Sequence, residues 1–196
     1  MMIENEELKV QDDTQAKRVL EALLLISDKS LLVEQAGEVL GPPYSPADAR
    51  RLLSELAEEY EQSNRGIRIT EVAEGFQLVT DPQLYSFVTR LSKRVRSVRL
   101  SKPALETLAI IAYRQSMTRV EIEQVRGVDA SGVLDTLLKF NLIRVVGRKE
   151  AAGRPLLYGT TREFLDHFGL KNLEDLPTLE ELKGIQHDAE PAAQTD

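Results

Sequence analysis

The sequence predicts a mainly α fold with small β-hairpins, laid down as two tandem copies of one plan. Three observations predict it. Leu20-Glu21-Ala22-Leu23-Leu24-Leu25-Ile26 is answered by Leu105-Glu106-Thr107-Leu108-Ala109-Ile110-Ile111. Each block is followed by a polar break and then by Val33-Glu34-Gln35 or Val120-Glu121-Ile122. A third amphipathic stretch, two β-like runs and a short aromatic helix then follow in the same order both times. The length of 196 residues allows one full-sized domain or two small ones. A chain that is 42% hydrophobic but only 5% aromatic, with no Trp, must build its cores from Leu, Ile, Val and Ala.

In the first copy, Asp13 or Thr14 is placed to cap a helix from about Ala16 to Ser27. Ser30 is placed to cap a second, short helix ending at Gly41. Ser45-Pro46-Ala47-Asp48 is a strong helix start: the serine accepts from orphan N–H groups, proline suits the first turn, and aspartate favours the dipole. Leu52, Leu53, Leu56 and Tyr60 then share one face. Gly66 ends that run. Ile67 and Ile69, then Phe76 and Leu78, alternate with polar residues around Ala73-Glu74-Gly75, the pattern of a hairpin. Asp81-Pro82 opens a closing helix with Leu84, Tyr85, Val88 and Leu91.

In the second copy, Ser101 caps a helix running to about Tyr113. Thr118-Arg119-Val120-Glu121 fits a capping box. Asp129 starts a third helix carrying Val133, Leu134, Leu137 and Leu138. A strand from Leu142 to Val146 returns through Leu156 to Tyr158. Thr160 and Glu163 fit a second capping box, opening a helix with Phe164, Leu165 and Phe168. Three helices, a hairpin and a closing helix make the winged-helix plan, so the prediction is tandem winged-helix domains. The expected boundaries are a disordered N-terminus at 1–12, an N-terminal winged-helix domain at 13–92 and a basic linker at 93–100. A C-terminal winged-helix domain at 101–170, a short helical extension at 171–183 and a disordered tail at 184–196 complete the chain. Thr178-Leu179-Glu180-Glu181 is placed to cap the extension.

Composition narrows the chemistry. There is no Cys, so no disulfide, thiolate metal site or cysteine nucleophile is expected. Two histidines, His167 and His187, are too few for a His-rich metal site. Neither a glycine-rich phosphate loop nor a nucleophile motif is present, and Gly147-Arg148-Lys149 lacks the strand-loop-helix context of one. The expectation is no catalysis and no cofactor. The N-terminus is acidic, without a signal-peptide apolar region, and no apolar run approaches the roughly 20 residues that span a bilayer. A cytoplasmic location is expected. The net charge of −7 lowers the expectation of a simple DNA binder, whose domain is typically basic.

A long ordered set of motifs in the second copy resembles the segregation and condensation protein B family. The set is Leu105 to Gln115, Thr118 to Ile122, Arg126-Gly127-Val128, Gly147-Arg148-Lys149 and Gly153 to Thr161. It closes with Phe164-Leu165, Phe168-Gly169-Leu170 and Leu173 to Pro177. The first copy is similar more loosely, through its Leu-rich helix and Gly75-Phe76-Gln77-Leu78, so the resemblance covers roughly residues 15–182. Ser116-Met117 departs from it, the family more usually having proline and an aliphatic residue there, and a looser turn is expected. The resemblance implies tandem winged helices, a homodimer formed mainly through the N-terminal copy, and no enzymatic activity. It also implies a kleisin partner, ScpA, and through it the SMC ATPase of a condensin-like complex acting in chromosome condensation and segregation. That places the chain in the cytoplasm, associated with the nucleoid through the complex.

The residues themselves bear on partners. A DNA-reading third helix presents Arg, Lys, Asn or Gln near its N-terminus. The second copy offers Asp129, Ala130, Ser131, Gly132 and Asp135. The first offers Asp48, Arg50 and Arg51, then Glu55, Glu58, Glu59 and Glu61. DNA contact is therefore expected to be weak or indirect, against the alternative of a winged-helix transcriptional regulator. Lys93, Arg94, Arg96, Arg99 and Lys102 form a basic stretch with two readings, a phosphate-contacting patch or a solvated linker. Arg144, Arg148, Lys149 and Arg154 around the second wing fit either a wing touching DNA or an arginine surface meeting acids on a protein partner. Both first helices are apolar around most of their circumference, which fits either full coverage within the domain or an interface. The candidate kleisin-binding face is Tyr113, Arg114, Arg148, Arg154 and Tyr158; the alternative is that these residues lock wing to helix. Leu23, Leu24 and Ile26 are the candidate dimerisation residues.

Overall fold

The computed structural model describes residues 10–91 and 100–178, together with Glu181. Residues 1–9, most of the basic stretch (Lys93, Arg94, Arg96 and Arg99) and the tail from 182 onward lie outside the described residues.

Two units follow one another, each with its own core. In the first, α1 (Asp13–Ile26), α2 (Val33–Leu40) and α3 (Pro46–Gln62) precede a hairpin of β2 (Ile67–Val72) and β3 (Gly75–Thr80). A two-residue strand, β1 (Leu31–Leu32), pairs with β3 to give an antiparallel sheet of order β1-β3-β2. A 3₁₀ turn at Pro82–Leu84 leads into α4 (Tyr85–Leu91). The second unit repeats this with α5 (Lys102–Arg114), β4 (Met117–Thr118), α6 (Arg119–Arg126), α7 (Ser131–Lys139), β5 (Ile143–Arg148), β6 (Leu156–Thr160) and α8 (Arg162–Phe168). Its sheet order is β4-β6-β5, with Tyr158 lying between Met117 and Val145. This is the winged-helix arrangement, twice. The third strands, β1 and β4, are too short to show a period of two, and the sequence did not suggest them.

Apolar spacing sets the cores. Leu20, Leu24, Leu52, Leu53 and Phe76 are buried in the first. Leu108, Ile111, Ile122, Leu134 and Ile143 are buried in the second. Ser45 caps α3 as its sequence suggests, with Asp48 accepting in return from the serine N–H at 3.0 Å. Thr118 and Glu121 form the expected box on α6, and Thr178 and Glu181 form another.

Four caps differ from expectation. Asp12, not Asp13 or Thr14, caps α1, accepting from Gln15 N at 2.8 Å. Thr161, not Thr160, caps α8, accepting from Phe164 N at 3.1 Å. Thr160 stays in β6, where its hydroxyl accepts from Gln115 Nε2 at 2.9 Å. Ala130, not Asp129, is the N-cap of α7; Asp129 lies just outside it and accepts from Ser131 N at 3.1 Å. Ser30 does not cap α2: its strand neighbour Leu31 carries the chain on, and the serine faces the second unit instead. The turn around Ser116 is also not loose. Gln115 ties it at both ends, donating to Ala112 O at 3.0 Å and accepting from Thr160 N at 3.3 Å.

The two units touch through the first wing. Its turn, Ala73-Glu74, has positive φ at both residues (48° and 61°), the primed hairpin geometry that matches strand twist but suits Gly or Asn better than Ala or Glu. The second unit holds it there. Ala73 N donates to Leu170 O at 2.8 Å and Glu74 N to Lys171 O at 3.0 Å. Val72 and Ala73 are counted in the second core rather than the first. Arg162 reaches across, donating from Nε to Ala73 O at 2.9 Å, from Nη2 to Ser30 Oγ at 2.7 Å, and also to Ser30 O. Ion pairs Lys29–Glu163 and Lys171–Glu71 flank the contact.

Candidate functional site

The third helices carry few cations free to meet phosphate. On α3, Arg50 pairs with Glu71, while Arg51 pairs with Glu55 at 2.9 Å and Asp13 at 3.0 Å. Before α7, Asp129 holds Ser131 and pairs with Arg119 at 2.7 Å, and Arg119 also binds Glu123 at 2.6 Å. The entrance to the second recognition helix is thus a carboxylate cluster already satisfied by its own arginine. A DNA backbone approaching it meets net negative charge, which removes the electrostatic term that supplies most of non-specific binding.

The second wing is more open. Arg148 Nη1 donates to Arg154 O at 3.1 Å, closing the base of the wing loop, with both side chains exposed. Arg154 sits at φ 41°, so its backbone belongs to the turn. Lys149 pairs with Glu121. That lysine, with the Thr118 N–H and hydroxyl each at 2.8 Å, pulls the Glu121 carboxyl down to about 2. Because the folded value lies below the ordinary carboxylate range near 4.5, the stabilising contribution is fully present above that range. It is lost as pH falls toward 2. A carbon-detected NMR titration should show Glu121 still ionised at pH 3, and Lys149→Ala should raise its midpoint. A midpoint near 4.5 in the unaltered chain would show that the wing is not latched to α6.

Tyr113, Arg114, Arg148, Arg154 and Tyr158 fall into two groups. Tyr113 and Arg114 end α5, and the Tyr113 hydroxyl donates to Pro177 O at 2.6 Å. Arg148 and Arg154 are on the wing, and Tyr158 on β6 is half-buried against the second core. Only Tyr113 of the five lines an apolar groove of about 360 Å³ between α5 and α8. Its lining includes the buried Leu108, Ala112 and Phe164 and the more exposed Leu105, Tyr113 and Phe168. A continuous apolar lining of this kind suits a docked amphipathic segment. Sequence reasoning singled out Tyr113 but missed Leu105, Phe168 and Leu176. An unusually apolar α5 was the available signal.

Among the dimerisation candidates, Leu24 is 2% exposed and belongs to the core of its own unit, because it shares the inward stripe of α1 with Ala16 and Leu20. A second subunit cannot reach it without opening the fold. Leu23 is partly buried against the same core. Ile26 is 75% exposed, and its neighbour Leu25, which the sequence reading passed over, is similarly open. Tyr85, Phe87 and Leu91 of α4 add further exposed apolar surface to the same unit.

The family model for "Segregation and condensation complex subunit ScpB" matches residues 18–179. The chain belongs to the ScpB family. Segregation and condensation protein B of Syntrophotalea carbinolica is 46% identical over 179 residues, spanning 91% of this chain and 89% of that protein. The Symbiobacterium thermophilum protein of the same name is 50% identical over 164 residues, 84% of this chain and 74% of its own. Among solved structures, ScpB from Mycobacterium tuberculosis is 33% identical and covers 82% of this chain and 99% of its own, with a TM-score of 0.40. A dimer of the ScpB N-terminal domain complexed with ScpA peptide is 29% identical, covering 40% of this chain and 95% of its own, with a TM-score of 0.37. ScpB membership assigns the chain to chromosome segregation and condensation as a subunit of that complex. Among the described residues no helix is long and apolar enough to cross a membrane.

Proposed function

We propose that this ScpB-family chain is a non-catalytic adaptor, a homodimer that binds an extended stretch of the kleisin ScpA and through it the SMC ATPase. In this reading it works in the cytoplasm, joined to the nucleoid by the complex, and touches DNA at most indirectly. The observation that carries the proposal is the contrast between two surfaces. The arginines on and beside the recognition helices, Arg50 and Arg51 on α3 and Arg119 on α6, are spent on carboxylates of their own unit, while the α5–α8 groove is lined by apolar side chains among the described residues. A kleisin segment lies in that groove past Tyr113 and Arg114, and Arg148, Arg154 and Tyr158 on the wing offer a second contact for its acidic residues. The dimer forms through the first unit, with Ile26 and Leu25 at its centre, Leu23 at its edge, and Leu24 as support from beneath. Ordering an extended segment costs conformational entropy, so buried apolar contact must supply most of the affinity.

Size-exclusion chromatography with light scattering tests this, alone and with the kleisin's central segment, at low and high salt. The expected result is a dimer whose complex resists salt. Arg154→Glu and Tyr158→Ala should each weaken it by about tenfold, the range of an interface anchor. A monomer that ignores the kleisin and binds duplex DNA with a steep salt dependence would overturn the proposal in favour of a DNA-binding regulator.

A further inference from the structure

We propose that the α5–α8 groove is filled in the free protein by the chain's own segment after Pro177, Leu179 to Ile185, docked through Leu179, Leu182 and Ile185. Three observations point to that occupant. The chain reaches the groove by itself: Leu176 and Pro177 line it, and the Tyr113 hydroxyl holds the Pro177 carbonyl at 2.6 Å. A helix start stands at its mouth. Thr178 N and Oγ donate to Glu181 Oε2 at 2.7 and 3.0 Å, and Glu181 N donates back to Thr178 Oγ at 3.3 Å. The residues that follow have the pattern of a short capped helix with one apolar side. Leu179 and Leu182 are three apart, and Gly184 and Ile185 stand in the sequence where the C′ glycine and the C″ apolar residue of a helix cap would fall. Beyond Ile185 the sequence turns polar, with His187, Asp188 and Glu190.

A helix of five or six residues does not hold together in water, because its nucleation cost is not recovered. It needs an apolar surface, and the nearest one begins at the residue before it. The tether makes the encounter intramolecular, at an effective concentration on the order of millimolar, so weak affinity is enough. The consequence for partner binding rests on the groove's being the kleisin site: a tail that fills it nine parts in ten would reduce apparent kleisin affinity about tenfold.

The test uses the full chain with 3-fluorotyrosine, the Tyr113 resonance being assigned by Tyr113→Phe. In Leu182→Asp/Ile185→Asp the Tyr113 resonance should move, while His187→Asp, in the polar sequence beyond Ile185, should leave it in place. The double variant should also bind the kleisin segment about tenfold more tightly. An unmoved Tyr113 resonance overturns self-docking, even if kleisin binding at the groove stands. A shift that grows with protein concentration overturns it too, in favour of docking between copies. A moved resonance with unchanged kleisin affinity supports self-docking, and it is then the groove's assignment to the kleisin that fails.

Discussion

Gly75→Ala unfolds the first sheet. A Cβ on Gly75 would stand 2.5 Å from Leu31 O and 2.9 Å from Leu31 C. Both are backbone atoms of β1, so no side chain can swing aside. Gly75 faces Leu32 in the β1–β3 ladder, and β1 carries Leu31 into the core. Relief of the clash therefore means moving β1 off β3 and withdrawing Leu31. Overpacking of this kind costs about 1–3 kcal/mol, and loss of the strand pairing places this case toward the upper end. For a unit of this size that lowers Tm by about 10 °C or more. The internal control is Gly132→Ala in α7, where an added Cβ meets nothing within 4 Å. There the better helix propensity of alanine should stabilise by up to about 1 kcal/mol. Thermal unfolding followed by circular dichroism decides both, and a Gly75→Ala chain that melts like the parent would mean that β1 is dispensable.

Arg162→Ala releases the two units from one another. The guanidinium bridges Ala73 O, Ser30 O and Ser30 Oγ, two stretches of the first unit brought together by its own fold. Charge-assisted bonds are worth about 1.5–3 kcal/mol each, and their loss is not additive, so about 2–4 kcal/mol of docking free energy is at stake. Arg162→Lys should recover only part of it, since an ammonium cannot present the same planar fork. The chain has no native Cys, so spin labels at Ser54→Cys and Asp135→Cys, diluted with unlabelled chain, report the separation of the units. The parent should give one narrow distance distribution and Arg162→Ala a broad one. If the distribution stays narrow, the backbone pairing of Ala73 and Glu74 with Leu170 and Lys171 suffices by itself. Such a junction matters for an adaptor, because the angle between its units sets where a bound partner segment can run.

Helices α3, α5 and α6 and the β2–β3 hairpin were legible because their signals lie close together in the chain: Ser45 with Asp48, Ser101 with Ala104, Thr118 with Glu121, Ile69 with Leu78. The scarcity of free cations on the recognition helices could also be anticipated from Asp129 and Glu55. The rest was hidden for a reason of distance. Ser30 reads as a cap by its residue type, but its hydroxyl is taken by an arginine 132 positions later. Thr160 and Thr161 are equivalent as letters, and only the pairing of Thr160 with Ile143 decides that the strand keeps the first and the helix takes the second.

The groove shows the same division. Its apolar content could be read along α5, but Leu105, Phe168 and Leu176 become neighbours only when α8 and the segment after it pack back across α5. Leu24 and Ile26 look alike in the sequence, yet one is core and the other surface. The 3.6-residue period says that they face differently, not which of them faces in. By itself the sequence determined the two copies, their helices, most of the hairpins and the family. The tertiary structure decided which caps are used, which apolar residues remain exposed and how the units meet. Local conformation is set by residues within about four positions of one another, whereas exposure and pairing are set by residues that only folding brings together.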